Sequence, residues 1–188
     1  MPPRAKFLKE EIIQAALSIV KKDGMSALTA RTLGAKLSSS ARPVFTVFQS
    51  MEEVRQCVLE NAKAQYREYV EKGLSEPYAF KGVGLQYILF AVNEPKLFQL
   101  LFMNERDSVP SFEGVLPQID ESYHRILQSI IDNYGLTQNI AEILYRHLWI
   151  YTHGVATLCA TKMCCFTDDE INKMLTEVFV SLLEKIGG

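Results

Sequence analysis

The stretch TARTLGAKLSSSARPVFTVF, Thr29 to Phe48, decides how this chain is read. Leu33 and Leu37 stand one helical turn apart, with Ala30 on the adjoining turn, a narrow apolar stripe for a short helix. Ser38, Ser39 and Ser40 break that pattern, because serine hydroxyls compete for backbone hydrogen bonds and favour turns and N-caps. Pro43 then sets the phase of the next segment. With Ser40 as N-cap, Pro43 is the third helical residue, where its missing N–H deprives the helix of no bond. The spacing predicts a second helix from about Ala41, with Val44 and Phe48 turned inward and Arg42, Phe45 and Thr46 outward. Two short helices on a tight turn match a helix-turn-helix, whose second helix can enter the DNA major groove. An ordinary helical hairpin gives the same pattern. The residues expected to face DNA are Thr29, Arg31, Ser39, Ser40, Ala41, Arg42, Phe45, Thr46 and Ser50. Most carry donors, and no acid occurs from Thr29 to Ser50, which suits a polyanion.

The charge of the whole chain is divided in the same sense. Residues 1–50 hold eight Lys/Arg against three acids, a net +5, and the remainder carries −7, for a total of −2. A basic N-terminal end on an acidic body fits a nucleic-acid head joined to a part with another task. At 188 residues, 48% hydrophobic and 22% charged, the chain is long and apolar enough for a substantial core. Met1 to Lys9 lacks the apolar segment of a signal peptide, and no apolar stretch reaches membrane-spanning length. Four cysteines (Cys57, Cys159, Cys164, Cys165) without a secretion signal point to a reducing cytoplasm and free thiols.

Along the chain, Pro2 to Lys6 reads as a mobile basic arm. Leu8, Ile12, Ala16, Ile19 and Val20 recur at helical spacing, with Gly24 as a stop, completing a three-helix head. Ser50 and Glu53 form a capping box that opens a long helix, with Val54, Cys57, Val58, Asn61, Ala62, Gln65, Tyr66 and Tyr69 on one broad face and an end at Gly73 or Pro77. Pro95 opens another helix, Asp107 to Pro117 is a loop, and Pro117 to Tyr134 reads as one helix ended by Gly135. A helix from Asn139 to about Lys162 is apolar nearly all round. Thr167 and Glu170 cap the last helix, whose stripe of Ile171, Met174, Leu175, Val178, Leu182 and Ile186 is widened by Phe179, Val180 and Leu183. A helix apolar on two sides meets its own core on one and a partner on the other. No β-alternation, repeat or low-complexity tract is present. The expectation is an all-α chain with a helix-turn-helix domain at 1–49 and a helical body at 50–188.

With these segments in place, the chain resembles the tetracycline-repressor (TetR) family of one-component bacterial regulators. The resemblance is most specific over Ile12 to Val54. It rests on Ala15-Ala16-Leu17, Leu33-Gly34-Ala35-Lys36-Leu37, the Ser38-Ser39-Ser40 turn and Phe45-Thr46-Val47-Phe48, where the family has an aromatic-x-aromatic-Phe segment followed by a lysine. WIYTHGVATL, Trp149 to Leu158, is similar to the penultimate, dimer-forming helix of many members. The resemblance implies a homodimeric repressor, a double-stranded DNA operator and a small-molecule effector. It implies a dimer interface through Val155, Leu158, Val178, Phe179 and Leu182. It also implies an effector pocket among the body's aromatic residues, with Tyr87, Phe90, Phe98, Phe102, Tyr123, Trp149 and His153 as candidates. Two family phosphate contacts are replaced, a tyrosine by Phe45 and a lysine by Met51, while Arg42 takes a place often held by glycine.

Other chemistries find less support. H-E-x-x-H, G-x-S-x-G and P-loop patterns are absent, and Gly82-Val-Gly84 lacks the third glycine of a dinucleotide fingerprint, so no enzyme activity and no cofactor are expected. His147 and His153 are six residues apart, on different helix faces, and Cys159 with Cys164-Cys165 lacks C-x-x-C spacing, so no metal is expected. Two alternatives stay open: a helical interaction protein of the same fold with weakened DNA binding, and a thiol-based redox sensor.

Overall fold

A computed structural model describes residues 7–105 and 109–187. Among the described residues the chain is all-α, with no strand: α1 Lys9–Asp23, α2 Ala30–Lys36, α3 Met51–Leu74, α4 Ala79–Asn93, α5 Pro95–Phe102, α6 Val115–Ile119, α7 Tyr123–Tyr134, α8 Gln138–Ala160 and α9 Asp168–Gly187. Two short 3₁₀ turns, Met25–Ala27 and Arg42–Thr46, complete the element order. The basic arm expected at Pro2 to Lys6 and the first residues of the expected 107–117 loop lie outside the described residues. Two compact units form: the chain to Gln65 with Lys96–Asn104, and Tyr66–Pro95 with Glu105–Gly188.

The first unit is larger than the head expected at 1–49, because the early turns of α3 and all but the first residue of α5 add to its core. Ile12, Ala16 and Val20 of α1, Leu33 of α2, Val54 and Val58 of α3, and Leu97 and Phe98 of α5 are all fully buried. Helix α1 ends at Gly24, whose φ of 87° places it in the left-handed half of the map and whose N–H reaches the Val20 carbonyl at 2.9 Å. Helix α2 is held at its start by a reciprocal threonine pair. Thr29 Oγ1 accepts from the Thr32 N–H at 3.1 Å, and Thr32 Oγ1 accepts from the Thr29 N–H at 3.0 Å. The box at α3 is shifted by one residue from the simplest form: Ser50 Oγ accepts from the Glu53 N–H at 3.2 Å, but the Glu53 carboxylate reaches the Gln49 N–H at 2.8 Å.

In the second unit α4 lies against α8, α7 and α9, and α8 also packs on α7 and α9. Gly73 lets α4 approach α3 closely, since a Cβ there would stand 2.6 Å from the Val83 backbone. The expected single helix over Pro117–Tyr134 is two helices instead. Asp120 and Ser122 interrupt it, both buried, with Asp120 Oδ1 accepting from the Ser122 N–H at 2.8 Å. That local turn competes with helix and restarts the chain as α7. Gly135, at φ 64°, ends α7 as expected, and the Thr167–Glu170 box opens α9, with Thr167 N–H to the carboxylate at 2.8 Å.

Candidate functional site

The second unit encloses a cavity of about 280 Å³. Helix α4 contributes Phe80, Val83 and Tyr87, α8 contributes Tyr145, Leu148, Trp149 and Thr152, and α9 contributes Leu175 and Phe179. Tyr66 from α3 and Asp120 from the α6–α7 break are also in the wall. Tyr66, Tyr87, Tyr145 and Asp120 are buried and mark the inner end, whereas Tyr78, Lys81 and Val180 are exposed and mark the mouth. The rings support one another: Tyr66 on Tyr87 at 6.0 Å and Phe80 on Tyr145 at 5.5 Å edge to face, and Phe179 on Tyr134 at 4.8 Å at a tilt. Rigid rings that brace each other in this way leave space that they cannot collapse to fill.

Two hydrogen-bonded polar pairs, Tyr66–Asp120 and Tyr87–His153, lie in or against this wall. The Tyr66 hydroxyl donates to Asp120 Oδ2 at 2.8 Å. Burial pushes the Asp120 carboxyl up from its ordinary range, while the bonds from Tyr66 and Ser122 pull it back. Burial, then the Asp120 charge, holds the Tyr66 hydroxyl well above an ordinary tyrosine. On the α8 side, Tyr87 Oη and His153 Nδ1 are 2.9 Å apart, and Trp149 also hydrogen-bonds Tyr87. Indole N–H only donates, so Tyr87 accepts from Trp149 and donates to a neutral His153. Burial lowers the His153 pKa and so favours that neutral form.

Of the seven residues expected at an effector pocket, Tyr87 and Trp149 line the cavity. His153 stands behind them, bonded to Tyr87 and stacked on Trp149 at 5.0 Å. Tyr123 stacks on the far side of Tyr145 at 5.6 Å, and Phe90 is core beside Tyr66 at 5.5 Å. Phe98 and Phe102 belong to the other unit, where their rings meet at 5.2 Å, and are not part of this wall. Sequence reasoning missed Tyr66, Phe80, Asp120, Tyr145 and the α9 wall. Phe179, expected at a dimer interface, instead turns into the cavity. Val155, expected there too, is only 5% exposed within its own chain, while Leu158, Val178 and Leu182 are half-buried. Ile150 is exposed on α8, and a Cβ at Gly154 would meet nothing within 4 Å, so the open row on α8 is Ile150, Gly154 and Leu158.

In the first unit the helix expected from Ala41 is a five-residue 3₁₀ turn, Arg42–Thr46, with Pro43 in its first turn rather than third in an α-helix. Ser38 sits in the left-handed region at φ 52° just before the turn, and the Thr46 hydroxyl bonds the Pro43 carbonyl within it at 2.7 Å. Gly34 closes the turn, since a Cβ there would stand 2.8 Å from the Ser40 and Ala41 backbone. Val44 and Phe48 are buried as expected, and Arg31, Ser40, Arg42, Phe45, Thr46 and Ser50 are exposed. Ser39 and Ala41 are half-buried, and Thr29 is exposed with its hydroxyl engaged as the α2 cap. Burial and then the neighbouring Cys164 and Cys165 push the Cys159 thiol up, away from the reactive thiolate. Among the described residues no group of His, Cys, Asp and Glu gathers to hold a metal, and no helix is long and apolar enough to cross a membrane.

No family model and no curated protein matches the sequence. Among solved structures, the chain is similar to a TetR-like transcriptional regulator from Rhodococcus sp. RHA1, at 15% identity and a TM-score of 0.66, covering 98% of this chain and 99% of that one. This chain therefore has the fold of a TetR-like transcriptional regulator.

Proposed function

We propose that the protein is a one-component transcriptional regulator, a repressor whose grip on DNA is released by a small, mostly apolar effector. The observation that carries this reading is the aromatic cavity, a formed, ligand-sized space in the unit that follows an acid-free, donor-bearing segment. The two parts are the two sites that a ligand-controlled DNA-binding protein needs. A homodimer through α8 and α9 would present two turns at Arg42–Thr46 to half-sites about 34–36 Å apart, one turn of DNA. Helix α3 supplies the Tyr66 wall residue and begins at Met51, directly after the DNA-facing segment, so a ligand that moves Tyr66 acts on that helix. The test is fluorescence anisotropy with DNA from upstream of the protein's own gene, at several salt concentrations. Specific binding that weakens with salt is expected; equal affinity for unrelated DNA removes the reading.

The shortened Arg42–Thr46 element favours one second reading, a helical interaction protein of the same fold with weakened DNA binding. A five-residue 3₁₀ turn carries fewer outward side chains than an α-helix, and Phe45 and Met51 remove two further polar contacts. The same anisotropy experiment separates the two, since this alternative requires no salt-dependent binding to any duplex.

A further inference from the structure

An apolar ligand alone leaves Asp120 unexplained. Its buried carboxylate lines the cavity, and the groups that reach it are the Tyr66 hydroxyl, the N–H and hydroxyl of Ser122 and, at longer range, the like charge of Glu121. No cationic side chain pairs with it among the described residues. Arg67 is engaged by Glu121 at 3.7 Å, and Arg125 by Glu71 at 2.9 Å. A buried carboxylate with only neutral donors and no counter-charge is under-compensated, and a cation brought to it gains what water no longer supplies.

The surrounding wall has the matching character. Tyr66, Tyr87, Tyr145 and Trp149 are electron-rich rings, and cations bind over such rings most strongly where water is excluded. Lys81 is the one basic residue in the lining, and it is exposed at the mouth. Its charge disfavours a second positive group near the entrance, so the ligand carries one charge, set deep, on an apolar body.

We propose that the cavity binds a hydrophobic organic monocation, its charge seated against Asp120 among Tyr66, Tyr87 and Tyr145. The inference rests on reading the cavity as an effector site, and it names the class of effector. It assigns Asp120 two tasks, turning the chain between α6 and α7 and countering the charge of the ligand.

Trp149 is the only tryptophan in the chain and stands in the wall, so its fluorescence reports occupancy directly. The full-length protein is titrated with 2-phenylethylammonium against 2-phenylethanol, and with benzyltrimethylammonium against neopentylbenzene, pairs that match in shape and differ in charge. The expected result is that each cation binds at least about tenfold tighter than its neutral partner, and that Asp120→Asn reduces this preference to about twofold or less. Asparagine retains an acceptor for Ser122 and a polar partner for Tyr66, and circular dichroism checks its fold. If that variant does not fold, the ratio in the unaltered protein decides. Equal binding of cation and neutral partner, or no fluorescence response to any of the four, overturns the proposal. Anisotropy on operator DNA distinguishes the two levels: a cation preference without any effect on DNA overturns the regulatory reading alone, and DNA binding without a cation preference overturns this one alone.

Discussion

The Tyr66 hydroxyl and the Asp120 carboxylate meet at 2.8 Å across 54 residues of sequence, both buried, at the inner end of an aromatic cavity. Removing the donor leaves a buried acceptor short of a partner. Tyr66→Phe is therefore expected to lower stability by about 1–3 kcal/mol. Urea denaturation measures it, and a loss near zero would show that the bond is offset by its own desolvation.

The turn after α2 yields a pair of opposite effects. Ser38 holds φ 52°, a region that glycine adopts without steric cost, so Ser38→Gly is expected to be neutral or stabilising by up to about 1 kcal/mol. Gly34→Ala sets a methyl 2.8 Å from the Ser40 and Ala41 backbone, which must shift to admit it, and is expected to cost about 1–3 kcal/mol. Thermal melts of both variants in one buffer give the comparison.

Protonation of His153 is expected to weaken the fold. Its pKa is lowered by burial from an ordinary 6.5, so between the folded and unfolded values the unfolded chain binds more protons. Its contribution is complete above about pH 6.5 and is lost as pH falls below that value. Protonated Nδ1 also stops accepting from Tyr87. Denaturant midpoints from pH 8 to 5 should fall on the acid side, and His153→Gln should flatten that slope.

On the surface expected to face a second copy, Gly154 offers a clean substitution. Its Cβ direction is open within the chain, and glutamate suits a helix better than glycine does. Gly154→Glu is expected to leave the helical signal intact and to yield monomers in sedimentation at micromolar concentration. A monomeric unaltered protein would remove the dimer proposal outright.

Arg42, exposed at the start of its turn, is the residue expected to reach a base edge. Arg42→Ala should weaken operator affinity by about 1–3 kcal/mol with unchanged circular dichroism. Equal affinity in anisotropy would assign the contact to a neighbouring donor.

Where the residues involved are local, the chain can be read directly. Ser50 with Glu53, Thr167 with Glu170, Pro95 and Gly135 all act within a turn or two, and each marks the helix boundary that its chemistry predicts. Val44 and Phe48 are buried as their apolar character predicts, although the segment is a 3₁₀ turn that ends before Phe48 and so lacks the i, i+4 face of an α-helix. The illegible features depend on distant partners. Asp120 lies in a run, Gln118-Ile-Asp-Glu-Ser122, that reads as surface, and its buried partner Tyr66 is 54 residues away. Phe179 belongs to a stripe whose apolar character is plain, but which of its two sides meets the cavity is set by α4 and α8.

Asp120 also restricts how this protein can diversify. The carboxylate that turns the chain into α7 is the one that borders the cavity, so a change there alters the backbone and the ligand preference together. Val83, Leu148 and Leu175 carry side chains with no hydrogen-bonding group and act on the cavity through shape alone. New specificities in descendants of this chain should therefore arise by exchanges at those three positions, with residue 120 the last of the wall to change.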